Sequence, residues 1–249
     1  MKVYSELAPY YDRFMSHIDY EGEAEAIYGF LFQIRRVNGR VLDIGAGSGG
    51  HMLPLIDMGV KAEGLDYSEE MIAVLREKLR RRHAVSRLYT MDMRAIETER
   101  RWDVIYCFGE TIHHLGGIDD AAAFFRSAAE ALRPGGYLVF SWQAPDYFDE
   151  LAAIGDFYEE HGDDYLLWSV REAEDGEKAL YLDYTAFIRE EDGRFGRVRE
   201  THRLAILPEK PLYRAAGKAG FSRREDYEDL CFGELLDGGA RRVTVLEKI

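Results

Sequence analysis

The sequence predicts an α/β protein: a doubly wound, mostly parallel sheet of seven strands, interrupted by an inserted antiparallel β patch. Two observations carry the sheet. Short apolar runs alternate with helically spaced segments between Arg40 and Trp142, the order that parallel strands with crossover helices require. A glycine turn, Gly45-Ala46-Gly47-Ser48-Gly49-Gly50, directly follows the first run. The third observation predicts the insertion. From about residue 146 the pattern changes to β-rich runs joined by acidic Gly turns.

The elements follow in order. Residues 21–36 read as an amphipathic helix, with Ala24, Ile27, Tyr28, Leu31 and Ile34 at helical spacing. Val41-Leu42-Asp43-Ile44 is a short buried strand, 51–58 a helix and Val60–Leu65 a second strand. Ser68 is placed to cap a helix that opens on Glu69 and Glu70 and closes on Lys78 and Arg80–Arg82, charges that suit both ends of the helix dipole. Strands are expected at Arg87–Met91 and Trp102–Phe108. A helix over 119–132 stops at Arg133-Pro134-Gly135-Gly136, and Tyr137–Trp142 is the fifth strand. The β-rich runs are 165–172, 179–190 and 194–207, joined by Glu174-Asp175-Gly176 and Glu191-Asp192-Gly193. A helix at 209–219 and strands near 221–227 and 241–248 return the chain to the main sheet.

Composition removes several function classes. Lys plus Arg is 32 against 46 for Asp plus Glu, a formal charge of −14, which argues against nucleic-acid or anionic-membrane partners. Cys107 and Cys231 stand far apart without metal-ligand spacing, so neither a disulfide framework nor a metal site is expected. Glu6 and Asp12 interrupt any leader-like apolar stretch, and no uncharged apolar run approaches the ~18 residues of a membrane span. The expected setting is a reducing cytoplasm, as a monomer or homodimer.

The glycine turn satisfies both GxGxG and GxGxxG, so the neighbouring charges must decide its ligand. A dinucleotide would present a pyrophosphate to the turn and to the following helix N-terminus. Asp43, two residues before Gly45, disfavours that anion and suits a ligand with an ammonium and a sulfonium. The glycines then serve close backbone approach. Asp66 is placed to accept both ribose hydroxyls, and Asp92 to accept an adenine amino group. Strand carboxyl ends in such a sheet face one crevice, so Asp43, Asp66 and Asp92 are expected to converge.

At these residues the sequence resembles the class I S-adenosylmethionine-dependent methyltransferases, small-molecule branch. The resemblance covers roughly residues 1–145 and the last 40 or so. It rests on the glycine motif, on Glu63-Gly64-Leu65-Asp66-Tyr67-Ser68-Glu69-Glu70-Met71 and on Met91-Asp92-Met93-Arg94. Trp102-Asp103-Val104-Ile105-Tyr106-Cys107 and Leu132-Arg133-Pro134-Gly135-Gly136-Tyr137 complete it. It implies a Rossmann-like sheet and S-adenosylmethionine as cofactor. It further implies cofactor contacts at Tyr11, Asp43, Gly45, Ala46, Gly47, Asp66, Tyr67, Met71, Asp92, Met93 and Phe108. The head, Tyr4 to Arg13, is similar to a segment that covers the cofactor in such enzymes. Residues 1–145 with 208–249 would form the cofactor domain, and 146–207 an inserted helix plus antiparallel lid over a small-molecule substrate.

The run Phe108-Gly109-Glu110-Thr111-Ile112-His113-His114-Leu115 lies where an acceptor must approach the methyl group. It resembles the corresponding run of amino-sugar N-methyltransferases, which puts His114 on their base, a role suited to an imidazole near ~6.5. Glu110 is either a ligand for a cationic substrate or a solvated loop acid. The insertion's aromatics suit either a lid or simply the core of the added sheet. Arg197, Arg199 and Arg203 read best as a solvated strand face. The expected activity is methyl transfer to a nitrogen or oxygen of a small soluble molecule. The alternatives are a non-catalytic cofactor-binding or scaffold module, a nicotinamide oxidoreductase, or an enzyme acting on RNA.

Overall fold

The computed structural model describes residues 3–173, 177–233 and 240–249. After a single 3-10 turn at Ala8–Tyr10 come α1 (Tyr11–Phe14), α2 (Tyr20–Gln33), β1 (Arg40–Ile44), α3 (Met52–Asp57), β2 (Lys61–Asp66), α4 (Glu69–Arg81), β3 (Leu88–Thr90) and β4 (Trp102–Cys107). The chain continues through α5 (Ile118–Ala131), β5 (Leu132–Gln143), α6 (Pro145–Ile154), β6 (Phe157–His161), β7 (Asp164–Glu172), β8 (Ala179–Arg189) and β9 (Phe195–Ala205). It closes with α7 (Glu209–Lys218), β10 (Phe221–Tyr227) and β11 (Arg241–Lys248).

The main sheet has the order β10-β11-β5-β4-β1-β2-β3. β1 to β5 run parallel, while β11 is antiparallel to both β5 and β10. The winding reverses between β1 and β4, and that switch point fixes where a ligand crevice must open. Local chemistry sets the element ends as the sequence predicts. Ser68 caps α4 by accepting the Met71 N–H at 3.1 Å, with Glu69 and Glu70 behind it and Lys78, Arg80 and Arg81 at the far end. β5 differs in starting at Leu132 rather than Tyr137. Trp102 pairs with Leu132 and Val104 with Tyr137, so Arg133–Gly136 bulge out of a continuous strand, with Gly135 left-handed at φ +67°.

The inserted segment forms a separate four-stranded antiparallel sheet, β6-β7-β8-β9. β6 was not foreseen, because its alternating Phe157-Tyr158-Glu159-Glu160-His161 is too acidic to read as a strand without its partner β7. The turn Glu174-Asp175-Gly176 lies outside the described residues. β8 alternates buried and half-buried positions. Its inner face, Leu180, Leu182, Tyr184, Ala186 and Ile188, packs with Leu166, Leu204, Phe148 and, from the N-terminal segment, Leu7 and Phe14. Most of the insertion's buried aromatics are therefore core. The β9 cations face outward, and Arg203 pairs with Glu177 at 3.0 Å. No helix among the described residues is long and apolar enough to cross a membrane.

Candidate active site

A cavity of about 640 Å³ opens at the switch point and runs from the glycine turn to the inserted sheet. Gly45, Ala46, Gly47 and Ser48 form one wall. The two outer glycines act differently. At Gly47 (φ +52°) an added Cβ would meet nothing nearer than the Gly45 carbonyl at 3.9 Å, so the turn presents bare backbone to the cavity. At Gly45 (φ +74°) the same atom would overlap the Thr111 side chain. That glycine is what lets the loop after β4 pack on the turn.

Asp66 ends β2 on the cavity wall. One carboxylate oxygen accepts the Gly47 N–H and the other the Ser68 N–H, both at 2.8 Å. Each oxygen keeps acceptor capacity for a further donor. Burial raises its pKa, and the amides of Ser68, Gly47 and Tyr67 pull against that rise. Tyr67, Met71, Met91 and Met93 extend the wall beyond it, and Phe108 and Tyr11 line the cavity as well.

Two of the predicted acids do not converge there. Asp43 is 3% exposed and lies behind the turn, off the cavity wall. Burial pushes its carboxyl up to about 7, while the His51 imidazole and the Tyr106 hydroxyl pull the other way. Asp92 is off the wall too. Its carboxylate receives the Arg94 backbone N–H at 2.8 Å and Nε at 3.0 Å, and Arg94 continues to Asp120 at 2.6 Å. Arg94 holds the Asp92 carboxyl below its ordinary range and draws it away from the crevice. Its neighbours Met91 and Met93 reach the cavity instead.

The N-terminal segment straps over the cavity. Asp12 accepts the Ser48 hydroxyl at 2.6 Å and pairs with Lys78 at 2.6 Å, which ties α1 to the glycine turn and α4. The Ser68 hydroxyl donates to the Tyr4 carbonyl at 2.9 Å. From the inserted sheet, Glu200 accepts the Tyr4 and Leu7 N–H groups at 2.8 and 2.9 Å. Asp164 pairs with Arg13 at 2.8 Å.

At the other end, Gly109 and Glu110 are both left-handed, at φ +66° and +63°, before a 3-10 turn over Thr111–His114. The two histidines part company. His113 is wholly buried; its Nε2 accepts the Gln143 backbone N–H at 2.9 Å, so Nδ1 carries the proton that it donates to the Ala205 carbonyl at 2.8 Å. Burial holds it neutral, down to about 4. His114 lines the cavity, edge-on to Tyr4 and His202, with Nδ1 buried and unpartnered. Burial, with His202 and His113 adding to it, pushes His114 down to about 3, so the loop does not hold a base near the ordinary imidazole value. Glu110 accepts the Tyr147 hydroxyl at 3.0 Å and the Gln143 Nε2–H at 3.4 Å, and burial raises its pKa.

Leu166, Trp168 and Tyr184 of the inserted sheet close this end. Sequence reasoning missed Gln143 and Arg241, which also line the cavity. Both were reachable from topology: β11 pairs antiparallel with β5, Arg241 opposite Gln143, at the carboxyl edge of the sheet.

A doubly wound sheet with a bare glycine turn, a carboxylate at the end of the second strand and apolar methionines beside it defines a nucleoside-cofactor enzyme. The residues fit S-adenosylmethionine: Asp66 has acceptor capacity to spare, Gly47 leaves room, and the volume lies in the usual range of small-molecule sites. Residues 41–136 match the family described as a methyltransferase domain. The chain is 28% identical over 205 residues to dTDP-3-amino-3,6-dideoxy-alpha-D-glucopyranose N,N-dimethyltransferase of Streptomyces fradiae, covering 82% of this chain and 78% of that one. An S-adenosylmethionine-dependent methyltransferase from Clostridium acetobutylicum superposes with a TM-score of 0.86 at 18% identity, covering 99% of both chains. An S-adenosylmethionine-bound amino pentose methyltransferase from Micromonospora echinaspora has a TM-score of 0.73 at 20% identity, covering 100% of this chain and 98% of its own. Residues 41–136 thus carry a methyltransferase domain, and the whole chain has the fold of an S-adenosylmethionine-dependent methyltransferase.

Proposed function

We propose that this enzyme moves a methyl group to a nitrogen or oxygen of a small soluble molecule held under the inserted sheet. The observation that carries the reading is one continuous cavity, from Gly47 and Asp66 at one end to Leu166, Trp168 and Tyr184 at the other. In this reading the Gly45–Gly47 turn and Tyr11 hold the methionine part of the cofactor. Asp66 accepts the ribose hydroxyls, Tyr67, Met71 and Met93 frame the adenosine, and Phe108 closes over it. Asp43, buried behind the turn, and Asp92, held by Arg94, are assigned no cofactor contact. Residues 1–145 and 208–249 serve the cofactor, and 146–207 form the lid over the acceptor.

When bound, the cofactor would supply an electrophilic methyl on a sulfonium: the acceptor's lone pair would bond to that carbon, the C–S pair would leave with sulfur, and the acceptor's proton would pass to solvent. What remains for the protein is to bind, orient and exclude water. His114, kept neutral, offers an imidazole nitrogen to orient an acceptor N–H or O–H. The Streptomyces fradiae relative is named for an amino sugar nucleotide, which supports a small soluble acceptor.

The test is label transfer from methyl-labelled cofactor to a panel of amines, amino sugars, phenols, carboxylates and bulk RNA. Labelling of a small molecule is expected; labelling of RNA alone would overturn the reading. His114→Asn should leave adenosylhomocysteine affinity intact and lower turnover roughly tenfold to a hundredfold, as misplacement of a reactant does. A wild-type rate would remove His114 from the acceptor site.

A further inference from the structure

The inserted sheet has two faces, and the core and the cavity account for only one. Its inner face packs on Leu7, Phe14 and Phe148 and closes the cavity through Leu166, Trp168 and Tyr184. An antiparallel sheet covered on one side turns polar residues to water on the other. The register here sets large apolar side chains on the outer face instead. In one row Glu160 of β6, Tyr165 of β7, Phe187 of β8 and Arg197 of β9 lie side by side. The next row is Tyr158, Leu167, Thr185 and Arg199. Phe195 continues the patch beside Tyr165, their ring centroids 6.2 Å apart. Tyr158, Leu167 and Phe195 are 64%, 41% and 46% exposed. A contiguous apolar patch of this kind with a polar rim marks a contact surface between proteins.

The rim is divided by sign. Glu160 stands on the β6 side, Arg197 and Arg199 on the β9 side. Neither arginine pairs with an acid among the described residues, and Glu160 pairs with no cation there. A second copy of the chain satisfies both the patch and the rim, in one arrangement. Two such faces stacked as an aligned sandwich can be related by a two-fold axis across the strands or along them. An axis across the strands would set β6 on β6 and β9 on β9, acid on acid and arginine on arginine. An axis along the strands, between β7 and β8, sets β6 over β9 and β7 over β8. Glu160 of each copy then meets Arg197 of the other, and Tyr165 meets Phe187 at the centre. Edge-to-edge pairing of two β9 strands would instead bring the arginine rows together, which like charges disfavour.

The area suffices. At about 3.3 Å along and 4.8 Å across per residue, the four strands cover roughly 600 Å² as a flat surface. Projecting side chains raise the accessible area toward the ~800 Å² per partner of a specific interface. We propose that two copies of this chain associate through the outer faces of their inserted sheets. The product is a two-fold β sandwich with Glu160–Arg197 pairs at both rims and Tyr165, Leu167 and Phe187 in its core. Each cavity lies under the opposite face of its own sheet, so both stay clear of the contact while each lid is backed by the other. The association does not depend on the identity of the acceptor.

Sedimentation velocity of the protein over a concentration series tests it. A dimer at micromolar concentration is expected. Leu167→Asp puts a charge at the centre of the contact, on a side chain exposed in a single copy, and should weaken association roughly a hundredfold with an unchanged circular dichroism spectrum. Tyr158→Arg, at a more exposed position that faces Arg199 of the second copy, should weaken it roughly tenfold and serves if Leu167→Asp folds poorly. Glu160→Arg and Arg197→Glu should each weaken it roughly tenfold, and the two together should restore most of the wild-type affinity. A wild-type protein that stays monomeric throughout would overturn the proposal and leave the face to a different protein. A dimer that no folded variant weakens would place the contact elsewhere. A double exchange no tighter than the single variants would overturn the two-fold arrangement.

Discussion

Asp66→Ala should damage both the fold and the cofactor site, by amounts that can be measured apart. The carboxylate is a hub: it accepts the Gly47 amide from the glycine turn and the Ser68 amide that begins the cap of α4, each at 2.8 Å. Removing it strands two half-buried N–H donors, at about 1–3 kcal/mol each when nothing replaces the acceptor. Water entering from the cavity offsets part of that, leaving about 2–4 kcal/mol. For a chain of this size that lowers the ligand-free melting temperature by roughly 5–15 °C. Binding also loses a pair of hydrogen bonds to a charged group, at about 1.5–3 kcal/mol each, or roughly a hundredfold or more in affinity for adenosylhomocysteine. Scanning calorimetry without ligand reads the first loss, and titration at 15 °C, where the variant is folded, reads the second. Wild-type affinity in the folded variant would refute the assignment of Asp66 to the ribose. A drop in affinity with no change in melting would refute its role as a hub.

Three further outcomes follow from the same geometry. Gly47→Val should keep a near-native circular dichroism spectrum, melt lower because φ +52° strains a β-branched residue, and lose cofactor binding as its side chain fills the open space beside the turn, whereas Gly45→Ala should mainly destabilise the fold by overlapping Thr111; a folded Gly47→Val protein with normal affinity would place the cofactor elsewhere. Asp43, raised to about 7 from 3.8, holds in the folded state a proton that the unfolded chain has released. Its contribution is therefore fully present below about pH 4 and is lost as pH rises through 7, roughly 4 kcal/mol in all. Denaturant titrations of wild type and Asp43→Asn should diverge across that window, and parallel curves would mean that Asp43 is ionised throughout. Glu200→Ala should release the N-terminal strap and speed adenosylhomocysteine dissociation about tenfold in stopped flow, by the loss of hydrogen bonds to a charged group although Glu200 does not line the cavity; an unchanged rate would make the strap a mere packing element.

The sheet was legible because its information is local. A buried strand of four to six residues, a glycine turn and a capped helix each announce themselves in the order of the chain, and β10 and β11 fall at the predicted residues. The glycine turn and Asp66 were legible for the same reason: one strand end and one turn suffice to place them. Asp92 misled because the rule that strand ends face the crevice applies to backbone, while a side chain obeys its nearest charge. Arg94, two residues away, decides where that carboxylate points. Asp43 misled in the opposite sense. It lies inside the strand rather than beyond it, between buried Leu42 and Ile44, so the sheet covers it.

The acceptor end depends on contacts between segments far apart in sequence, which no local pattern records. Glu110 meets Tyr147, His113 meets Ala205 and Tyr4 meets Glu200 only after the inserted sheet has folded back across the switch point. Composition shows that the insertion is rich in aromatics and acids. It does not show which of those aromatics face one another in the core of the added sheet and which, like Trp168 and Tyr184, also reach the cavity, because that depends on how β6 to β9 pair.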